Sequence, residues 1–431
     1  MHLDSTSLLK RRQFLPLFLT QFFGAFNDNA FKLAMLTLIS YHLSHNQAQS
    51  EYYQALAGAL FILPFFLFSA TSGQLADKYD KSLIARLVKV FELLLMIIGG
   101  IALYRGSILL MMVTLTGMGI QSSFFGPIKY SILLDHLSPK DLLAATGIIE
   151  ASTFIAILLG TTLGTLSIGV THFIPYFAIF IILCAAFLGL ISSLFIPSAP
   201  SRSPNLKVDF HVVRATINML KETKNDAQLL VVILTISWFW LIGAILLTKL
   251  PDYTHYVLNA NPSVFALFLS LFSTGIAAGS LMINMLLKGR ITLSIVPWAM
   301  LAFSVFTFDL YLASPNMVAV KTPLLNLISF FSSFKHWRIS IDLFMLAFSS
   351  GLFVVPLYTY LQIASSPELR SRTIAANNIF NALFMVVGTL FVMLLLKFSA
   401  AIPEIFLILG LLNLIVTIFL LLYLKRQKDN N

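Results

Sequence analysis

The sequence predicts an all-α membrane protein with twelve transmembrane helices in two six-helix bundles and both termini in the cytoplasm. Three observations support this fold class: the composition, the lengths of the apolar runs and a weak internal repeat. Of 431 residues, 58% are hydrophobic and 11% are charged, whereas soluble domains carry about 25% charged residues. A soluble core of this length cannot bury so many apolar side chains. The composition therefore excludes a soluble enzyme, a nucleic-acid-binding protein and a disordered chain.

Apolar runs between polar breaks predict the number of spans. A helix needs roughly 20 apolar residues to cross the hydrocarbon core, and these runs do not alternate in polarity as membrane β-strands do. The run after the basic N-terminal residues is too long for a signal peptide, so we interpret it as the first span. The predicted spans are about 13–40, 53–76, 82–104, 107–130, 142–168, 171–196, 228–250, 263–287, 291–313, 341–362, 372–397 and 402–424.

The basic residues predict the orientation. Of the 28 Lys and Arg residues, 18 fall in loops on the side of the two termini. The opposite loops contain Arg105, Lys321, Lys335 and Arg338. Because cytoplasmic loops are rich in Lys and Arg, both termini are expected in the cytoplasm, and the net charge of +10 reflects topology. Segment 314–340 holds three of the four exceptions, so we expect a re-entrant or interfacial piece there.

The longest polar loop divides the chain into two halves. It predicts an N-terminal bundle at 1–196, a cytoplasmic linker with an amphipathic helix at 197–227, and a C-terminal bundle at 228–431. The halves repeat each other weakly. SPKDL at 138–142 precedes AATGIIEA at 144–151, as SPEL at 366–369 precedes AANNIFNA at 375–382. Two parallel copies across a central linker are typical of secondary transporters.

The loop between the second and third spans is a candidate conformational latch. It reads GQLADKYDK at residues 73–81, with Gly73, Asp77, Lys78 and Lys81 as the residues of interest. A carboxylate at a helix end can pair with a basic side chain and with the N-terminus of a neighbouring helix. Such a contact can hold one conformation and release it in another. The alternative is a simple solvated turn.

The first predicted span contains the most polar stretch within the membrane. Gln21, Asp28 and Lys32 lie on one helical face. Charges inside a membrane are costly and usually face a cavity or a partner. We therefore predict a substrate-binding or coupling site around Asp28. The alternative is that Asp28 and Lys32, four residues apart, neutralise each other.

Spans four and five add two further candidates, Lys129 and Glu150. A lysine after Pro127 is a mobile cation suited to a phosphate or carboxylate, unless it extends to the membrane surface. Glu150 shares a stripe with Thr146 and Thr153, and its alternative role is an ion pair that tunes helix packing.

Other residues of the spans are candidates either for substrate binding or for helix packing. The second half supplies three candidates for the substrate site: Tyr358, Asn377 and Asn381. Glu92, three residues after Lys89, is expected to be structural because its span occupies a peripheral position. Gly160 and Gly164 predict close helix packing through small residues.

Catalytic and metal chemistry are not expected. The single cysteine, Cys184, cannot form an intrachain disulfide and is interpreted as a small buried side chain. His136 and Asp141 match the His-x4-Asp pattern of glycerolipid acyltransferases but lie in a short loop between spans. Phosphate-binding, zinc and nucleophile motifs are absent from the sequence. We therefore predict no catalytic residues, no metal and no cofactor.

Several motifs resemble the bacterial lysophospholipid transporter family of the major facilitator superfamily. They are QFFGAFNDN at 21–29, GPIKYSIL at 126–133, GIIEAST at 147–153 and GLFVVPL at 351–357. Segments 238–253 and 372–384 are closer to the form that is fused to an acyl-ACP synthetase/acyltransferase. Because the sequence stops at Asn431, we expect those enzymatic domains to be absent.

The resemblance implies a multi-pass transporter of the bacterial inner membrane. It would move lysophospholipids such as lysophosphatidylethanolamine from the outer to the inner leaflet by alternating access, as a monomer among membrane lipids. Asp28 would bind the amine or a coupling cation, H⁺ or Na⁺, and Lys129 the phosphate. A separate acyltransferase would restore the second chain. The alternatives are a proton-coupled exporter of drugs or siderophores and a membrane-embedded enzyme.

Overall fold

The computed structural model describes residues 5–168, 175–224, 226–315 and 323–429, and their regular structure is helical. The first unit of the chain contains the helices α1 to α7, which are Leu15–Leu38, Gln47–Lys78, Lys81–Arg105, Ile108–Ser131, Leu142–Leu166, Tyr176–Leu194 and Val212–Lys224. They are followed by α8 to α13, which are Ala227–Asp252, Pro262–Leu287, Val296–Ala313, Phe334–Ala364, Arg370–Lys397 and Ile402–Asp429.

Eleven of the described helices are long and apolar enough to span a membrane. Apart from the amphipathic α7, the remaining long helix is α1, whose 24 residues are interrupted by polar side chains near its middle. The all-α membrane fold is therefore confirmed. Helices α2 and α11 begin several residues before the predicted spans, and α10 begins later, at Val296. Residues 171–174 of the predicted sixth span lie outside the described residues.

The chain forms two compact units. One comprises Met1–Ile233 with Leu361–Ala382, and the other comprises Leu234–Tyr360 with Leu383–Asn431. The end of α11 and the start of α12 thus belong to the first unit. The division into bundles at 1–196 and 228–431 around a linker stays a prediction, as does the cytoplasmic position of the termini.

The first unit has an apolar core between α1, α3 and α4. It includes Phe31 and Met35 of α1, Met96 and Leu103 of α3 and Leu115 of α4, all of which are fully buried. Burial of such side chains contributes about 1.5–3 kcal/mol each when water is the alternative solvent, but membrane helices associate mainly through tight packing. The core therefore sets the positions of α1, α3 and α4.

Helices α1 and α5 pack closely at Gly160 and Gly164, as the sequence predicts. A Cβ atom at Gly164 would collide with the carbonyl oxygen of Ala30 and lie 2.9 Å from the Ala30 Cα. At Gly160 the obstacle is the carbonyl oxygen of Phe26. Because both obstacles are main-chain atoms, a side chain cannot be accommodated by a rotamer change.

Gly164→Val is expected to destabilise the protein by about 1–3 kcal/mol, because overpacking forces α1 away from α5. The measurement is the thermal midpoint in detergent. Gly58→Val is the matched control, since a Cβ at Gly58 meets no heavy atom within 4 Å. Equal midpoints for the two variants would contradict close packing at Gly164.

In the second unit, a buried amide joins three helices. Asn413 of α13 donates to the Met300 carbonyl (2.7 Å) and to Ser304 (2.9 Å) of α10, and accepts from the Trp238 indole of α8 (2.9 Å). Buried amides need such partners, since water is absent from the hydrocarbon region. The Trp238 indole therefore joins α8 to α13 within this unit.

The segment predicted to be re-entrant or interfacial is partly described. Lys321 lies with residues 316–322 outside the described residues. The remainder contains a single helical turn, Leu327–Phe330, before α11 begins at Phe334. Arg338 belongs to α11 and forms an ion pair with Asp309 of α10.

Candidate functional site

Gln21 joins α1 to α5. Its amide nitrogen donates to Thr153 (2.5 Å), and its carbonyl oxygen accepts from Ser152 (2.9 Å). Gln21 is only 3% exposed. Because both ends of the amide are engaged by α5, Gln21 positions α1 in this structure, and its predicted role in substrate binding stays a prediction.

Asp28 retains one carboxylate oxygen without a partner. Its Oδ2 accepts from the Ser122 hydroxyl of α4 at 2.7 Å, whereas Oδ1 is buried and accepts no hydrogen bond from the described residues. An unsatisfied charged oxygen in a membrane span is costly. This atom therefore retains the capacity to accept a further hydrogen bond.

Lys32 does not neutralise Asp28 directly. Among the described residues, no ion pair joins them, and the Lys32 ammonium lies 5.5 Å from the centre of the Phe61 ring on α2. A cation over an aromatic face is attracted electrostatically. The alternative of a simple Asp28–Lys32 ion pair is therefore not what the structure contains.

Lys129 and Glu150 form one cluster with Tyr130. The Lys129 Nζ lies 3.9 Å from Glu150 Oε1, and the Tyr130 hydroxyl donates to the same oxygen. The other oxygen, Oε2, has no hydrogen-bond partner among the described residues. The Lys129 side chain is 15% exposed, whereas the Glu150 side chain is 1% exposed. Lys129 is therefore the more exposed member of the ion pair.

A buried charged network links α1, α3 and α4 near Asp28. Lys89 and Glu92 are fully buried and 2.5 Å apart. Glu92 also accepts from Asn27 (2.9 Å) and from Gln121 (2.7 Å). The Ser122 hydroxyl, which donates to Asp28, also lies 2.9 Å from the side-chain amide oxygen of Gln121. The sequence predicts a structural pair at Lys89 and Glu92. The structure adds a connection from this pair through Gln121 and Ser122 towards Asp28.

The candidates of the second half are buried in different places. Tyr358 of α11 is 2% exposed, and its hydroxyl accepts from the Trp240 indole (2.8 Å) within the second unit. Asn377 and Asn381 lie in the part of α12 that belongs to the first unit and are 0% and 6% exposed. Their assignment to a common substrate site stays a prediction.

Asp77 caps the N-terminus of α12. Its carboxylate accepts from the backbone amide of Ser371 (3.0 Å), from that of Arg372 (3.3 Å) and from the Arg372 guanidinium (3.2 Å). The first turn of a helix carries unsatisfied N–H groups and a partial positive charge, so a carboxylate is stabilising there. Asp77 thereby joins a helix of the first six predicted spans to one of the last six.

Gly73 allows this approach. A Cβ at Gly73 would lie 2.7 Å from the Ala375 Cβ and 3.0 Å from the Ser371 carbonyl oxygen. Only glycine therefore brings α2 close enough to α12 for Asp77 to reach the helix end. A solvated turn does not describe a fully buried Asp77. The role of Gly73 and Asp77 as a conformational latch stays a prediction.

The two lysines of the loop have different surroundings. Lys78 places its ammonium 5.6 Å from the centre of the Tyr79 ring. Lys81 is 2% exposed and pairs with Asp135 (2.8 Å), which also binds Arg202 of the linker (2.6 Å). Lys81 and Arg202 therefore bind the same carboxylate, which joins the start of α3 to the linker, whereas Lys78 contacts the Tyr79 ring.

The linker is bound to the α2–α3 turn through Asp80. This side chain accepts from Ser82 and Leu83 at the start of α3 and from Ser198 and Ala199 of the linker. Partial burial raises the pKa of Asp80, but hydrogen bonds from Ser198, Ser82 and Ala199 outweigh it and lower the pKa to about 2. Asp80 is therefore charged, and holds the turn, at neutral pH.

His136 and Asp141 have separate partners. Asp141 accepts from Arg11 (2.7 Å) and Ser138 (3.1 Å), and the His136 Nε2 lies 3.3 Å from the Ser198 carbonyl oxygen. Within the described ranges, no cluster of three or more His, Cys, Asp or Glu side chains is arranged to hold a metal ion. The polar groups just described are arranged for ion pairs and hydrogen bonds.

Comparison with known sequences identifies relatives. Residues 17–334 match the family model of the Major Facilitator Superfamily. The "Lysophospholipid transporter LplT" of Serratia proteamaculans (strain 568) is 26% identical over 283 residues, which cover 64% of this chain and 67% of the relative. The protein of that name from Photorhabdus laumondii subsp. laumondii is 32% identical over 145 residues, 34% of each chain. The matches thus span about two thirds or less of these relatives.

Solved structures share the fold. The human organic anion transporter MFSD10 (TETRAN) has a TM-score of 0.69 and 15% identity, covering 95% of this chain and 99% of its own. The proton:xylose symporter XylE has a TM-score of 0.69 and 11% identity, covering 96% of each chain. At such identities the similarity concerns the fold alone. Because the family model matches most of the sequence, the chain is a multi-pass membrane protein that belongs to the Major Facilitator Superfamily.

Proposed function

We propose that this protein is a secondary transporter that moves lysophospholipids from the outer to the inner leaflet of a bacterial inner membrane by alternating access. Two kinds of observation support the proposal. Its bacterial relatives are named lysophospholipid transporters. The polar groups inside the first unit also have the chemistry that a zwitterionic head group requires.

The observation that carries the proposal is the pair of incompletely satisfied charges, Asp28 and Lys129. The free Oδ1 of Asp28 can accept from an ammonium group. The Lys129 ammonium is 3.9 Å from Glu150, longer than a hydrogen bond, and can bind a phosphate. Lysophosphatidylethanolamine carries both groups. The apolar surroundings of the spans suit its single acyl chain.

Further parts of the proposal concern energy, partners and conformation. Asp28 is also suited to a coupling cation, H⁺ or Na⁺, in the absence of the amine. A separate acyltransferase would use the delivered lysophospholipid, and the transporter would act as a monomer. The contact of Asp77 with α12 would stabilise the conformation described here and break when the other conformation forms.

Inward movement of labelled lysophosphatidylethanolamine in liposomes containing the purified protein tests this function. Asp28→Ala and Lys129→Ala are each expected to lower the rate about tenfold or more, because a hydrogen bond to a charged group contributes roughly 1.5–3 kcal/mol. Lys140→Ala is the matched control, since Lys140 is an exposed basic residue of the loop before α5.

Two outcomes would contradict the proposal. One is a rate no higher than that of protein-free liposomes. The other is equal rates for the parent, Asp28→Ala and Lys129→Ala. Export of a drug or siderophore by the same liposomes would then select the exporter alternative. Diacyl phosphatidylethanolamine serves as the lipid control and is expected to move no faster than without protein.

A further inference from the structure

A concave apolar groove lies on the first unit, and neither Asp28 nor Lys129 is among the residues that line it. It is formed by the end of α2, the first half of α3 and the middle of α4, and its volume is about 480 Å³. Its walls include Leu75, Leu87, Phe91 and Phe124. This volume falls within the roughly 300–1,000 Å³ of small-molecule sites. The groove, like those sites, is lined mainly by apolar and aromatic side chains.

The groove opens along a membrane-spanning helix. Leu83, Leu87 and Phe91 follow one another at intervals of four residues on α3, and their exposures are 49%, 60% and 39%. Residues at this spacing share one face. Since α3 is a membrane span, the medium that meets this face is the acyl-chain region of the bilayer.

One end of the groove carries a positive charge. Tyr79 lines the groove where α2 ends, and the Lys78 ammonium lies 5.6 Å from the centre of the Tyr79 ring. Lys78 forms no ion pair with any described residue, unlike the neighbouring Lys81. Lysine and tyrosine at the end of a span are the residue types that meet lipid head groups.

The opposite part of the groove reaches the buried charged network. Gln121 lines the groove but is only 3% exposed. Its amide donates to Glu92, and its carbonyl oxygen lies 2.9 Å from the Ser122 hydroxyl that bonds Asp28. Whatever fills the groove therefore covers the membrane side of this network.

We propose that the groove binds one acyl chain of an anionic phospholipid of the surrounding bilayer, with the lipid phosphate at Lys78. A single acyl chain suits an apolar concavity of about 480 Å³, while the second chain stays in the bilayer to which the groove is open. The bound chain contacts Gln121, which donates to Glu92. This site is separate from the proposed head-group site at Asp28 and Lys129 and does not depend on the transported substrate.

Lipid retention measured by native mass spectrometry tests the proposal. The delipidated protein is titrated with dioleoyl phosphatidylglycerol in detergent, and the parent is expected to retain one lipid. Leu87→Trp fills the groove and is expected to abolish retention of the lipid, because the larger side chain occupies the space of the acyl chain. Leu94→Trp is the matched control, because Leu94 also lies on α3 and is 54% exposed but does not line the groove.

A second variant tests the head-group end. Lys78→Gln is expected to lower retention of phosphatidylglycerol while leaving retention of uncharged dioleoylglycerol unchanged. Equal lipid retention by Leu87→Trp and Leu94→Trp would overturn the proposal, and so would equal retention of phosphatidylglycerol by Lys78→Gln and the parent. Because the readout is binding, failure of the liposome transport assay would leave this result unaffected.

Discussion

Lys89→Met is expected to destabilise the protein by about 3–5 kcal/mol, because it leaves the Glu92 carboxylate buried without its cation. Glu92 is fully buried, and its remaining partners, Asn27 and Gln121, are uncharged donors. Neutral donors stabilise a buried carboxylate less than an ammonium group 2.5 Å away. The measurement is the thermal midpoint of the purified protein in detergent.

The double variant Lys89→Met/Glu92→Gln is the control for this effect. It removes both charges and keeps an amide that can still bond Asn27 and Gln121, so most of the lost stability is expected to return. Two results would contradict a stabilising role of the Lys89–Glu92 pair. One is an equal thermal midpoint for the single variant and the parent, and the other is a double variant that is less stable than the single variant.

Asp77→Asn is expected to shift the conformational equilibrium away from the structure described here by about 1.5–3 kcal/mol, roughly a 10- to 150-fold change in populations. The substitution keeps the shape of the side chain but removes the charge that faces Arg372 and the start of α12. Because transport by alternating access requires both conformations, the rate of lysophospholipid movement is expected to change as well.

Distances between spin labels can report this equilibrium. The single native cysteine is first replaced by Cys184→Ala, and labels are attached through Tyr79→Cys and Leu369→Cys, both at exposed positions. Glu368→Gln is the matched control, because Glu368 is an exposed acid just before α12. Identical distance distributions for Asp77→Asn and Glu368→Gln would show that Asp77 does not hold this conformation.

The weak repeat in the sequence places similar loops before two helices, one in each half of the chain. The loop at 138–142 and the loop at 366–369 both precede a helix, α5 and α12. Asp77 caps the N-terminus of α12. Its two backbone partners, Ser371 and Arg372, lie 294 and 295 residues further along the chain, and the sequence alone does not identify them. The type of the contact could be predicted from helix-end chemistry, and its position could not.

Lys89 and Glu92 show a second limit of sequence reasoning. Their spacing of three residues on one helix predicts an ion pair, and the structure contains it. A peripheral third span predicts a structural role for the pair, and its burial agrees with that role. The additional contact with α1 has a signal in the polar stretch of that helix, since Asn27 needs a buried partner and Glu92 provides it.

Glu150 and Lys32 illustrate how tertiary structure selects among alternatives. For Glu150 the basic neighbour is Lys129, and Tyr130 also donates to the carboxylate. For Lys32 the alternative was neutralisation of Asp28, and the structure adds a contact of the ammonium group with the Phe61 ring. Periodicity places residues on one face of a helix but does not determine which neighbouring helix that face meets.

The sequence by itself determined the membrane character, the succession of spans and the few polar groups inside them. Those features depend on local hydropathy and helical periodicity, which act within one segment of the chain. Only the tertiary structure decided three further points. One oxygen of Asp28 has no hydrogen-bond partner among the described residues, Lys89 and Glu92 lie in a network with Asn27 and Gln121, and Asp77 contacts the start of α12. The physical reason is that a buried charge is stabilised by partners from other helices, and these are brought together by packing over long distances along the chain.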